Sequence, residues 1–259
     1  MASGYDINNF ILSNRTAPQQ IFWSHGNCAF DIDNIDKRIS HFEQKCKEFD
    51  WRIFNIPISK EFLVGTAKDK KEGLILKETI KKYYDKDTIF LGTIGRLVKL
   101  ESKEYIKALS EIMKQNPNTI YLACGVGNNE NVKALMEKHG VDLSRVQFLG
   151  QVNSHIFGWV IDVWPDTFPL RQGQSRVEYR EKDGVIIGME KYYTDKAINL
   201  KKRIAIKNNL IYPLASNKEE YIKLVTLMVK DKEKYQEVKK LYNLVNPYYH
   251  NQVNVKDIL

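Results

Sequence analysis

No apolar run in these 259 residues approaches the roughly 20 that a membrane-spanning helix needs. No basic and apolar leader opens the chain, so secretion is not expected. Cysteine is scarce. Cys28, Cys46 and Cys124 are odd in number and lack metal-ligand spacing. That excludes a disulfide framework and a zinc module, and fits reduced thiols in a cytoplasmic protein. Glycine motifs for nucleotides are missing too. There is no GxGxxG opening a helix and no Walker A loop, which excludes the usual dinucleotide fingerprint and the P-loop. No internal repeat or low-complexity linker breaks the chain.

What is present is ordinary in bulk and uneven in charge. A hydrophobic share of 43% and a charged share of 28% suit a soluble globular protein with a real core. The length allows one large domain or two small ones. The formal net charge is +8. Residues 191–240 hold 13 Lys plus Arg against 6 Asp plus Glu, so this segment carries +7 of it. A basic face suits a phosphate-bearing ligand, an anionic membrane or nucleic acid. A solvated helix face is the plainer alternative. The aromatics here form no stacking pattern, so nucleic acid is not expected.

Apolar periodicity outlines the elements. "QIFWSHG" (20–26) reads as a strand, "NIDKRISHFEQKCKEF" (34–49) as a helix, and "WRIFNIP" (51–57) as a strand stopped by Pro57. "KEGLILKETIKKYYDK" (71–86) is an amphipathic helix. A regular alternation follows. Strands are expected at 88–95, 119–127, 145–152, 158–164 and 185–189. Helices are expected at 102–117, 129–140 and 174–184, with one long helix over 217–245. Strands alternating with helices imply an α/β fold, a parallel sheet covered on both faces. Gly92, Gly95, Gly125, Gly127 and Gly150 cluster at strand ends, where such sheets bind ligands.

Four stretches carry candidate chemistry. "GTIGRLVK" puts Arg96 and Lys99 just past a strand end. A guanidinium fork beside an ammonium suits a diphosphate whose charge grows as it leaves; two exposed basic residues are the alternative. "RQGQSRVE" offers Gly173, Gln174 and Ser175 where a helix begins, so their backbone N–H groups can meet phosphate oxygens. Glu178, one turn further, can accept from ribose hydroxyls. Equally, Ser175 can cap the helix with Glu178 as its capping-box partner. His25, in "SHGN", lies beyond a strand and is either structural or part of a site. Asp162 and Asp166 flank Trp164, but proximity in sequence does not make a catalytic carboxylate pair.

The ordered set "LGTIGRLVKLESKEYIKAL", "IYLACGVG", "RVQFLGQV", "DVWPDTFPLRQGQSRVEYREKDGVIIGM" and "SNKEEYIKLVTLMVKD" resembles the carboxyl-terminal domain of a GT-B glycosyltransferase. "NRTAPQQIFWSHGN" is similar to the R-x-A-P-x-Q stretch of the family that holds the O-GlcNAc transferases and the bacterial adhesin N-glucosyltransferases. The resemblance runs from about residue 14 to 230. Two features depart from it: the loop "RQGQS" is not Thr-rich, and the strand "GVIIG" lacks the usual Pro.

The resemblance implies a Rossmann-like nucleotide-sugar-binding domain over 85–230, with 1–64 as a partial acceptor-side domain and 231–259 as a terminal helix and tail. It implies a nucleoside-diphosphate sugar as donor, UDP-sugar favoured, and a protein or glycan as acceptor. Arg96, Lys99, Gly173, Gln174 and Ser175 would hold the diphosphate, Glu178 the ribose, and Gln151 and Val152 the base through their backbone. His25 would serve on the acceptor side of the cleft as the catalytic residue. No metal and no cofactor beyond the donor are expected, because basic groups and helix dipoles neutralise the leaving group. The short amino-terminal part implies a fragment of a longer enzyme, with weak turnover and a tendency to self-associate. Peripheral contact of the 191–240 segment with the inner face of a membrane is a further expectation. Two rivals stand beside this reading: a sugar-nucleotide epimerase on the same fold, and a non-catalytic α/β module with a basic docking face.

Overall fold

Among the described residues, short apolar runs form strands that pair in parallel, so each strand needs cover on both faces. The computed structural model describes residues 4–24, 32–40, 51–53, 59–193 and 198–244. The chain divides into two units. Ser59–Asn246 is the larger, and Met1–Ile58 with Pro247–Leu259 is the smaller.

In the smaller unit, helix α1 (Gly4–Ser13) precedes strands β1 (Ile21–Ser24), β2 (Lys37–Ser40) and β3 (Trp51–Ile53), in the order β1-β2-β3. The "RTAPQQ" stretch is a structural clasp. The Arg15 guanidinium donates to Asp36 Oδ1 at 2.8 Å and to the Pro18 carbonyl at 2.7 Å. The Gln20 amide donates to the carbonyls of Leu12 and Asn34, and its backbone N–H donates to Asp36 Oδ2. The helix expected over 34–49 is corrected where the structure describes it. Residues 37–40 are a strand, because Lys37 and Ile39 pair with Ile21 and Trp23 of β1 while Arg38 to Ser40 pair with β3. A local period was overridden by partners on both sides. Residues 41–49 lie outside the described residues.

The larger unit opens with helices α2 (Lys60–Val64) and α3 (Ala67–Lys81). Thr66 and Asp69 form a reciprocal capping box at the start of α3. Strand β4 (Ile89–Ile94) leads through a 3₁₀ turn (Leu97–Leu100) to α4 (Lys103–Gln115). Then come β5 (Thr119–Cys124), α5 (Asn129–Lys138), β6 (Val146–Gly150), α6 (Ser154–Phe157), β7 (Val163–Pro165), α7 (Gln174–Glu181) and β8 (Val185–Met189). Helix α8 (Ile198–Lys207), strand β9 (Leu214–Ala215) and helices α9 (Lys218–Lys230) and α10 (Lys232–Leu244) follow.

The sheet order is β6-β5-β4-β7-β8-β9. By position within this sheet that is 3-2-1-4-5-6, the doubly wound order, with its switch point between β4 and β7. Successive residues of β4 serve opposite faces. Leu91 joins Tyr105, Leu109, Tyr121, Tyr221 and Val225 in one core, and Phe90 joins Leu122, Trp164, Tyr179 and Ile186 in the other. A chain of buried hydroxyls, Thr93 to Tyr121 to Tyr105 and on to the Pro165 carbonyl, ties α4 and β5 to the end of β7.

Two further expectations are adjusted here. The strand expected at 158–164 is shorter and later, since residues 157–161 close turns on the Phe157 carbonyl. The long helix at 217–245 breaks at Asp231, whose carboxylate accepts from the N–H groups of Glu233 and Lys234 and starts a second helix. Helices α1, α2, α6 and α8 and strand β9 were not anticipated.

Candidate functional site at the switch point

Strand ends approach each other closely on the carboxyl edge of the sheet. Gly95 N–H donates to the Cys124 carbonyl, and Gly125 N–H donates to the Gly150 carbonyl. Gly125 has φ of 145°, and a Cβ there would lie 1.6 Å from the Gly95 carbonyl oxygen. Only glycine allows this contact, which draws the loops after β4, β5 and β6 into one rim.

The two loops flanking the switch point carry the charge. Arg96 is exposed and Lys99 half-buried just after β4. Arg171 and Arg176 come from the segment between β7 and α7 and from the first turn of α7. All four cations share one neighbourhood. Burial, then the Arg96 charge, push the Lys99 ammonium below its ordinary value; Asp166 opposes this, and Arg176 and Arg171 add to it. Asp166 is fully buried. It accepts from the Tyr193 hydroxyl at 2.7 Å and the Trp164 indole at 3.3 Å, and pairs with Arg176 at 3.8 Å. Burial pushes its carboxyl above the usual range, against the pull of Arg176, Tyr193 and Trp164. Four cations with one carboxylate among them make a rim that favours anions.

Helix α7 begins here. Its N-cap is Gly173, with no side-chain cap bond, so Ser175 and Glu178 do not form the capping box that the sequence allowed. The Ser175 hydroxyl instead donates to the Ile94 carbonyl at the end of β4. Gly173 and Gln174 are exposed, and a Cβ on Gly173 would meet nothing within 4 Å. The start of α7 is therefore exposed beside the end of β4, and a helix start leaves N–H groups without intrahelical partners.

Glu178, only 9% exposed, accepts from the Ser154 hydroxyl at 2.7 Å. Ser154 starts α6, directly after Gln151, Val152 and Asn153. The structure thus brings Glu178 to the segment holding Gln151 and Val152, and Ser175 to the Arg96 loop. Gln151 is exposed and Val152 half-buried. His25 lies outside the described residues.

Asp162 and Asp166 are not a reacting pair. Asp162 is bonded to Lys77 and accepts from the Phe90 N–H, while Asp166 serves Tyr193 and Trp164. Among the described residues no group of three or more His, Cys, Asp or Glu could hold a metal ion. No helix among them is long and apolar enough to cross a membrane.

Sequence reading passed over Arg171, Arg176 and Tyr193. Both arginines were visible, on either side of the Gly-Gln-Ser loop. Tyr193, beyond the next strand, gave no local signal.

No protein-family model matches this chain, and no curated protein matches it in sequence. Solved structures do. WaaG, a glycosyltransferase involved in lipopolysaccharide biosynthesis, matches with a TM-score of 0.61 at 12% identity, over 95% of this chain and 78% of its own. A mutant O-GlcNAc transferase of Thermobaculum terrenum matches with a TM-score of 0.59 at 14% identity, over 91% of this chain and 45% of its own. HepE of Anabaena, in complex with UDP and glucose, matches with a TM-score of 0.52 at 14% identity, over 77% of this chain and 53% of its own. The chain thus spans about half the length of the last two. At these identities the likeness is one of fold, and the fold is that of the GT-B glycosyltransferases.

Proposed function

We propose that this chain binds a nucleoside-diphosphate sugar, a UDP-sugar by preference, and serves in transferring the sugar to a protein or glycan acceptor. The observation that carries the reading is the meeting of Arg96, Lys99 and the start of α7 at the switch point of a 3-2-1-4-5-6 sheet.

In this reading residues 85–230 carry the donor, 1–64 lie on the acceptor side, and 231–259 form the carboxyl-terminal helix and tail. Arg96, Lys99 and the amides of Gly173, Gln174 and Ser175 hold the diphosphate. Glu178 meets the ribose, and the backbone of Gln151 and Val152 meets the base. In the reaction the bond from the anomeric carbon to the diphosphate oxygen breaks, and a bond to the acceptor's nucleophilic atom forms. The negative charge left on the diphosphate falls to the cations and to the helix dipole, with no metal required. His25 takes the acceptor's proton. The protein works in the cytoplasm.

The test is a thermal-shift series with UDP, GDP, CMP and dTDP, followed by donor turnover with and without acceptors. A nucleotide at 100 times its dissociation constant should stabilise the fold by about 2.7 kcal/mol. No shift with any of the four would end the donor reading.

A further inference from the structure

Two arginines of the rim, and the tyrosine between them, have no role in the donor reading above. Arg171 makes no ion pair or hydrogen bond among the described residues, yet its guanidinium carbon stands 4.2 Å from the centre of the Tyr193 ring. Arg176 stands 5.0 Å from the same ring. Its pairing with Asp166 is long, at 3.8 Å, and its Nε is buried without a partner.

Tyr193 itself is held from two sides. Its hydroxyl donates to Asp166. Its ring occupies space that exists because residue 188 in β8 is glycine, where a Cβ would come within 2.5 Å of the Tyr193 hydroxyl oxygen. Asp166 is fixed in turn, since its N–H donates to the Ile187 carbonyl and its carbonyl accepts from the Tyr221 hydroxyl. A rigid carboxylate therefore fixes a ring, and the ring holds two guanidinium groups beside Lys99.

Cations gathered this closely repel one another, and a single carboxylate does not balance them. A multivalent anion does. A guanidinium offers a planar fork that spans two phosphate oxygens, which an ammonium cannot do.

We propose that Arg171 and Arg176 are binding residues for the donor diphosphate, and that Tyr193, anchored on Asp166, is the positioning residue that sets both. This rests on the donor reading above and extends it to residues from a second loop. Lys99 and Arg96 approach from the β4 end, and Arg171 and Arg176 from the α7 side, so the diphosphate is gripped across the switch point.

Calorimetry on the full chain with UDP, uridine and inorganic pyrophosphate tests this. Arg171→Gln and Arg176→Gln should each weaken UDP and pyrophosphate about tenfold or more, the effect of a lost charge-assisted bond. Uridine should change by less than about twofold. Arg176→Lys keeps the charge and loses the fork, so its loss should be intermediate. Tyr193→Phe keeps the ring and loses the anchor, and should weaken UDP several-fold with uridine unmoved. Tyr193→Leu removes the ring and should match the arginine variants; if it does not fold, Tyr193→Phe decides the point.

UDP binding that depends on Lys99 but is untouched by the changes at 171, 176 and 193 would overturn this inference and leave the donor reading standing. A parallel fall for UDP and uridine would also overturn it, since the residues would then merely support the loop. A wild-type chain that binds neither UDP nor pyrophosphate would sink both.

Discussion

Lys99 and Glu178 show how a residue's surroundings sharpen what its identity only suggests. Lys99 sits half-buried among other cations, which depress its pKa after burial does. A bound diphosphate would relieve that repulsion. Lys99→Ala and Arg96→Ala should each cost about 1.5–3 kcal/mol in UDP binding, and far less with uridine, by calorimetry. Glu178 is tied to Ser154 and is not a capping partner. Ser154→Ala removes that bond alone and should lower stability by about 1 kcal/mol in urea titration, with uridine affinity kept. Glu178→Ala should lower both stability and uridine affinity. A loss of stability only, in both variants, would reduce Glu178 to a structural tie.

At the scale of elements, Lys182 joins α7 to α2. It is 5% exposed, and its ammonium donates to the Leu63 carbonyl at 2.9 Å and to the Glu178 carbonyl at 3.2 Å. Burial lowers its pKa to about 8 from an ordinary value of 10.5, against the pull of Glu178 and Asp69. The folded state therefore binds fewer protons than the unfolded state between about pH 8 and 10.5. Stability from this group is penalised below pH 8 and recovers as pH rises through that window. Lys182→Met should flatten this rise when unfolding free energies of the two proteins are compared from about pH 7 to 10. An unchanged pH slope in the variant would mean that Lys182 is not the source. The α7–α2 connection also bears on the site, because α7 carries Ser175 and Glu178 on the same short helix.

At the scale of the whole molecule, Ser59–Asn246 forms one of two units and contains every candidate site residue except His25. Among the described residues, the cores on both faces of its sheet are built from residues of this unit. Expressed alone, this piece should melt cooperatively and bind UDP within about threefold of the full chain, with donor turnover lost. Loss of the cooperative transition, followed by calorimetry or circular dichroism, would show that the two units fold as one.

The sequence made much of the alternation of strands and helices legible, because amphipathic periods and glycine or proline stops are local. It also marked the glycine-rich strand ends and the Arg96, Lys99 and Ser175 loops. It could not decide strand order, since pairing depends on partners far along the chain. That order alone puts the β4 and β7 loops side by side. The same limit explains residues 37–40, where pairing on both sides replaced an expected helix. It explains Tyr193 as well: its hydroxyl reaches Asp166 27 positions away, through space that Gly188 leaves open. Local chemistry supplied the charged groups, and only the tertiary structure gathered them on one rim with a buried carboxylate in their midst.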